Sequence, residues 1–213
     1  MFKLDKVRYR DIISVDDLTI SSNETTCIVG ESGSGKTTFL KLLNHMVNYN
    51  QGTITYRGED LKNLDPINLR REVILLPQTP VIFPGTVRDN LLIGLAFSGR
   101  KPVDDNRLLE EMEYAGLDKR LDEEAEPLSG GEKQRLALIR VILMEPNVLL
   151  LDEPTSALDE GTELSIIEYI NNYLKAKDKT LIMVTHSREL AKSMGDRMVN
   201  VNKGIVTAVE EVA

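Results

Sequence analysis

Residues 25–43 constrain the fold more than any other stretch of the chain. Thr25-Thr-Cys-Ile-Val29 is a short β-branched and apolar run that fits a strand buried on both faces. Gly30 ends it. Gly30-Glu31-Ser32-Gly33-Ser34-Gly35-Lys36-Thr37 then leads into Thr38-Phe-Leu-Lys-Leu-Leu43, where apolar residues recur at helical spacing. Strand, Gly-rich loop and helix in that order are the context a GxxxxGK[ST] phosphate cradle requires. The glycines let backbone N–H groups turn inward around phosphates, and the helix N-terminus adds its dipole. In such a cradle Lys36 reaches the β- and γ-phosphates, and the Thr37 hydroxyl sits on Mg²⁺.

Further apolar runs follow the same plan, each ending in a polar residue. Val148 to Leu151 runs into Asp152-Glu153, as expected of a strand buried in a parallel sheet whose carboxyl end faces the ligand. Asp152 is placed to hold Mg²⁺ through water, and Glu153 to polarise an attacking water. Standing alone, two acids at a strand end could equally cap the next helix. Leu181 to Val184 runs into Thr185-His186, where an imidazole could hydrogen-bond a γ-phosphate, or simply cap a helix. Val73 to Leu76 runs into Pro77-Gln78, whose amide could join the Mg²⁺ shell or belong to an ordinary turn. A third block, Leu128-Ser129-Gly130-Gly131-Glu132, opens a helical stretch to Met144 and offers a hydroxyl, close backbone approach and a positive dipole end. The cradle at Gly30 already fills the phosphate-binding role, so the residues alone leave this block as either a second anion site or a capped helix.

With these blocks in order, the chain resembles the nucleotide-binding subunit of ABC (ATP-binding cassette) transporters over nearly its whole length. Gly30–Thr37 corresponds to the Walker A motif, Gln78 to the Q-loop and Leu128–Glu132, followed by Lys133-Gln-Arg135, to the signature. Val148–Asp152 with Glu153 corresponds to Walker B, Ser156-Ala-Leu-Asp159 to the D-loop and His186 to the H-loop. The resemblance implies an α/β P-loop NTPase of ABC type: a mainly parallel core sheet, an antiparallel β portion near the N-terminus, and an inserted helical subdomain. It implies one ABC ATPase domain over 1–213, with 1–78 and 146–213 as nucleotide-binding core and 79–145 as the helical subdomain. ATP and Mg²⁺ are the implied cofactors. Tyr9 would stack on adenine, and Thr38 would join Gly30 to Thr37 and Gln78 around the nucleotide. Ser129, Gly130 and Gly131 would close over ATP held by a second copy in a head-to-tail homodimer. Asn23-Glu24 replaces the family's common Gly-Glu, and Asn tolerates the same left-handed turn. Thr37 replaces the commoner Ser and keeps the hydroxyl, so no key position is degenerate.

The resemblance also implies an integral membrane permease as partner. Thr79 to Asn90 places Val81, Ile82 and Phe83 among Pro80, Pro84 and Gly85. Three apolar residues in such a loop suggest a docking patch near Gln78–Asn90, or a segment tucked into the chain's own core. The leading expectation is an ATP-hydrolysing subunit, cytoplasmic and peripheral on the inner face of the cell membrane. The segment from Leu76 to Leu91 looks most like a subgroup of metal (iron) exporters. The alternative is a soluble ABC ATPase of iron–sulfur cofactor assembly. DNA-repair members carry a long coiled coil between cradle and signature, and translation factors carry tandem cassettes; neither fits 213 residues.

Composition supports this reading. The net charge of −8 argues against a nucleic-acid surface. Between Lys101 and Glu126 ten acids face four bases, which reads as a solvated helical lobe. No stretch of about 18 apolar residues is present, and Met1 to Thr19 does not read as a signal peptide. The lone Cys27, in the cradle strand, reads as a buried thiol. Asp65-Pro66 reads as a helix cap followed by Pro at the first helical position. After Val201 only a short tail is expected.

Overall fold

The computed structural model describes every residue of the chain except Ala157, Asp159 and Ala213, together with all side chains of the rest but that of Glu160. The D-loop positions Ala157 and Asp159 therefore lie outside the described residues. The chain forms two compact units: Met1–Leu75 with Asn147–Glu153 and the residues from Asp178 onward, and Leu76–Pro146 with Pro154–Lys177.

The first unit is built on a mixed sheet. Its strands are β1 (Phe2–Tyr9), β2 (Ile13–Ile20), β3 (Thr25–Val29), β4 (Gln51–Tyr56), β5 (Glu59–Asp60), β6 (Val73–Leu76), β7 (Val148–Asp152), β8 (Thr180–Thr185), β9 (Arg197–Asn202) and β10 (Ile205–Glu211). Their spatial order is β5-β4-β1-β2-β10-β9-β3-β8-β7-β6. β3 pairs in parallel with β8 on one side and β9 on the other, and β7 pairs in parallel with β8. All residues of β3, β7 and β8 are buried, as the continuous apolar runs require of strands covered on both faces. β1, β2 and β4 are antiparallel and alternate buried with exposed positions more openly. The resulting α/β architecture is the P-loop NTPase type that the motifs imply.

Helices α1 (Lys36–Leu43), α2 (Pro66–Glu72) and α7 (Arg188–Met194) complete this unit. The side chain of Asp65 caps α2 by accepting from Asn68 N–H at 2.7 Å, with Pro66 at its first position as expected. Phe39, Leu40, Leu42 and Leu43 of α1 pack into one buried cluster with Ile28, Leu150 and Ile182 of the parallel strands. Cys27 is fully buried, and burial pushes its thiol up to about 12, so it is inert core.

One expectation is overturned here. The segment beyond Val201 is not a tail. Lys203 and Gly204, both at positive φ, turn the chain into β10, which pairs antiparallel with β9 and meets β2 at Ile205↔Ser14. The two-residue turn Lys203-Gly204 followed by the β-branched Ile205, Val206, Thr207 and Val209 is the hairpin signal that a reading by long apolar runs passes over.

The second unit is helical. It holds α3 (Val87–Phe97), α4 (Asp105–Tyr114), α5 (Gly130–Leu143) and α6 (Glu160–Lys177). Residues 154–177 group with it although they follow β7 in the chain. α3 begins with a reciprocal capping box between Thr86 and Asp89, and α5 is buried at every position from Leu136 to Leu143.

Candidate functional site

The cradle is assembled from the end of β3, the loop 30–35 and the start of α1. Close approach fixes its glycines. A Cβ on Gly30 would lie 2.1 Å from the Val201 carbonyl oxygen, and one on Gly35 would lie 2.8 Å from that of Ile12. Gly35 also has φ +97 as the residue before α1, which has no side-chain cap. The first N–H groups of α1 are therefore left for a ligand. Ser34 is 5% exposed, and its buried hydroxyl oxygen has no hydrogen-bond partner among the described residues.

Lys36 is also 5% exposed. Its Nζ donates to the carbonyl oxygens of Gly30 and Glu31, both at 2.8 Å, folding back over the loop. Burial lowers its pKa, and the charges of Glu153 and Asp152 oppose that shift. The next residue, Thr37, donates its hydroxyl to Asp152 Oδ2 at 2.8 Å. This joins the cradle helix to the carboxyl end of β7.

Glu153 follows Asp152 in a left-handed conformation, φ +51, with its backbone N–H bonded to Val184 O at 3.0 Å. That turn aims its side chain at His186, whose Nε2 lies 2.5 Å from Glu153 Oε1. His186 sits just past β8, and Ser187 caps α7 behind it. The structure thus brings Lys36, Thr37, Asp152, Glu153 and His186 together within one unit. The direct Glu153–His186 contact is invisible to sequence reasoning, because 33 residues separate two members of different apolar runs.

Tyr9 ends β1 half-buried, with the Arg10 guanidinium 5.2 Å from its ring centroid. It pairs across the hairpin with Ile13, whose Cδ1 would be 2.7 Å from a Cβ on Gly35. The β1–β2 turn therefore abuts the cradle.

The remaining expected positions fall in the second unit. Gln78 is exposed, and its Nε2 lies 3.5 Å from Ser156 Oγ. Ser129 caps α5: its Oγ accepts from Glu132 N–H at 3.3 Å, while Glu132 Oε2 accepts from Ser129 N–H at 2.8 Å. The Ser129 N–H, and next to it Lys119 at 3.0 Å, hold the Glu132 carboxyl down to about 2. Ser129 and Gly130 are exposed, and a Cβ on Gly130 would meet nothing within 4 Å.

The apolar loop after Gln78 is braced from inside the unit. Buried Asn90 accepts from Phe83 N–H at 2.9 Å and donates to Phe83 O at 2.9 Å. Arg140 of α5 donates to Val81 O at 2.8 Å, and its guanidinium lies 5.2 Å from the Phe83 ring. Burial lowers the Arg140 pKa to about 10. Phe83 meets Phe97 edge-on at 5.9 Å, while Val81 is 59% and Phe97 70% exposed. The loop is thus partly packed and partly open. No sequence spacing pointed to Arg140 or Asn90 as its supports.

A phosphate-binding strand–loop–helix, two carboxylates at the end of the parallel strand next but one in the sheet and a histidine against one of them describe a P-loop nucleotide site. Comparison with known proteins gives its family. The sequence profile described as ABC transporter matches residues 13–156, and the chain belongs to that family as an ABC ATPase cassette. It is 39% identical over 208 residues to the lactococcin-A transport/processing ATP-binding protein LcnC of Lactococcus lactis subsp. lactis, matching 92% of this chain and 28% of that protein. The chain thus spans under a third of that relative's length. It is 37% identical over 179 residues to the probable iron export ATP-binding protein FetA of Escherichia coli K12, covering 84% of this chain and 79% of that one. Among solved structures, the dimeric post-hydrolysis state of the ATP-binding cassette MJ0796 bound to ADP and Pi superposes with a TM-score of 0.88 at 27% identity, covering 100% of this chain and 99% of that one. A bacterial Atm1-family ABC exporter with ATP bound superposes with a TM-score of 0.87 at 27% identity, covering 99% of this chain and 38% of that one.

Proposed function

We propose that the chain hydrolyses ATP as a head-to-tail pair and so drives a separate membrane permease. The observation that carries this reading is the exposed signature. Gly130 lacks a side chain where this chain would tolerate one, and Ser129 uses one lone pair on the cap but keeps its hydroxyl proton to donate. Both features suit a phosphate brought by a second copy. MJ0796, which this chain resembles throughout, is described as dimeric with ADP and Pi.

In this reading Gly30 to Thr38 wrap the phosphates and Tyr9 supports the adenine. Lys36 leaves the carbonyls of Gly30 and Glu31 for the β- and γ-phosphates, and the partnerless Ser34 hydroxyl gains a phosphate oxygen. The Thr37 hydroxyl and the Asp152 carboxylate are oxygen donors side by side, a small hard set that suits Mg²⁺ sharing its shell with phosphates and water. Bound Mg²⁺ would neutralise charge developing on the β- and γ-phosphate oxygens. Glu153 accepts the proton of the attacking water, and His186 orients Glu153 through the 2.5 Å contact.

The docking surface for the permease is the loop from Gln78 to Asn90, with Val81 and Phe97 open to solvent. Work on a permease places the chain at the cytoplasmic face of a membrane. Among the described residues no helix is long and apolar enough to cross one. The relatives above are described as transport and export proteins, which favours this reading over soluble cofactor assembly. The likeness to FetA supports a metal cargo; a comparable likeness to the phosphate import protein PstB 3 of Natronomonas pharaonis, 35% over 204 residues, supports import equally.

The test is complementation. Ser129→Arg chains should bind ATP as monomers but fail to close a dimer. Lys36→Ala chains should fail to bind ATP. Mixed, they should recover activity at the one site that pairs an intact cradle with an intact signature. Loss of nucleotide affinity in Ser129→Arg monomers, or no recovery in the mixture, would overturn the in-trans reading.

A further inference from the structure

The helical unit holds a cavity of about 880 Å³ lined by none of the nucleotide-site residues. That size is typical of small-molecule sites. Its walls come largely from α4 and α6. Three of the chain's six tyrosines line it: Tyr114, Tyr169 and Tyr173. Four carboxylates also line it, Glu111, Glu113, Glu145 and Glu168, against two cations, Arg107 and Lys177.

Both cations are already engaged. Arg107 pairs with Glu110 and Glu111, and Lys177 pairs with Glu145 at 3.2 Å. Glu111 is 4% exposed and accepts from the Tyr169 hydroxyl at 2.5 Å. Glu113 and Glu168 are left exposed on the wall with no ion-pair partner among the described residues. Tyr173 is 8% exposed, and its buried hydroxyl also has no hydrogen-bond partner among the described residues. Burial, and after it the charges of Glu145 and Glu111, raise the pKa of Tyr173; burial and then Glu111 do the same at Tyr169. The walls therefore combine aromatic rings with a surplus of negative charge.

An anion would be repelled from such walls. A bare metal ion needs converging oxygen or nitrogen ligands, and among the described residues no group of three His, Cys, Asp or Glu could hold one. An ammonium group on a hydrocarbon body meets both features: its charge is attracted to ring faces and carboxylates, and its body covers apolar surface. We propose that this cavity binds a small organic cation, with the tyrosine rings as walls and Glu168 and Glu113 balancing its charge.

The chain lacks tryptophan, and three of its six tyrosines line this cavity, so a change in tyrosine emission that is lost in Tyr173→Phe and Tyr114→Phe reports on it. Choline serves as the probe, and 3,3-dimethylbutan-1-ol as its neutral isostere, both added to the full chain at constant ionic strength. Choline should change the emission saturably, and the isostere should bind about tenfold more weakly. Glu168→Gln and Glu113→Gln, both at exposed positions, should weaken choline several-fold and leave the isostere and ATP binding unchanged. Equal affinity for the two probes would show an apolar hole with no preference for charge. That result, an unsaturable response to choline, or full affinity in both variants would overturn the proposal.

Discussion

The chain begins two helices behind glycine-bearing motifs, and it treats their N-termini in opposite ways. α1 is preceded by Gly35, in a left-handed conformation with no side-chain cap, and the groups beside it are occupied from within: Lys36 by two carbonyls, Thr37 by Asp152. α5 is preceded by Ser129 in a complete capping box, and the surface beyond it is open. An uncapped terminus leaves N–H donors for a ligand that the same chain encloses. A capped terminus is stable without a ligand and can present its outer face to another molecule. The difference teaches that one site is built to change partners and the other to remain rigid until a partner arrives.

The sharpest way to break the comparison is at the enclosed site. Glu153→Gln should retain ATP binding and lower turnover by about 100- to 1000-fold, since the carboxylate proposed to take the proton is gone while the cradle stays intact. Steady-state phosphate release checks the rate, and gel filtration with ATP should show a stable dimer. Near-normal turnover would remove Glu153 from its role.

A smaller effect is expected on the open side. Phe83→Glu should leave basal ATPase of the purified chain intact, because no phosphate-handling residue touches Phe83. Burying an unpaired carboxylate against a membrane subunit would cost about 3–5 kcal/mol of binding. Transport in cells and pull-down of a membrane partner are the readouts. Normal transport with a folded, active variant would place docking elsewhere. Unfolding would instead assign the Arg140–Phe83 stack to the core.

The smallest effect sharpens the capped terminus alone. The Glu132 carboxyl falls from an ordinary 4.5 to about 2 on folding. Its stabilisation is therefore fully present above pH 4.5 and is lost as pH falls toward 2. Thermal unfolding of the chain and of Glu132→Gln should differ by about 1 kcal/mol near neutrality and converge at the acid end. A difference that persists there would mean the cap does not depend on the charge.

The parallel strands were legible in the sequence because burial on both faces demands uninterrupted apolar runs. The cap at Asp65-Pro66 was legible because local hydrogen bonding sets it. Side-chain partnerships between distant runs were not. Nothing local links Glu153 to His186, or Arg140 to Phe83; each pair exists because sheet order or helix packing brings remote residues together. The hairpin after Val201 was missed for another reason: β10 lies between β2 and β9 but is largely exposed, and it lacks the dense apolar signal of β3, β7 and β8.

That same hairpin sets how the two halves of the sheet are joined. β10 meets β2 through one register pair, Ile205↔Ser14, whereas β1 and β2 share seven and β3 and β8 share five. Along that seam the strand ladder is thin, and the Ser14 N–H to Gly204 O bond at 2.7 Å, the Arg197 bond to Thr19 O at 3.0 Å and one shared apolar cluster hold the two halves of the sheet together instead. One half carries Tyr9, and the other carries Lys36, Asp152, Glu153 and His186. What couples the two halves is therefore side-chain packing more than strand pairing, so a cavity cut into the shared cluster, rather than a lost ladder bond, is what would loosen Tyr9 from the cradle.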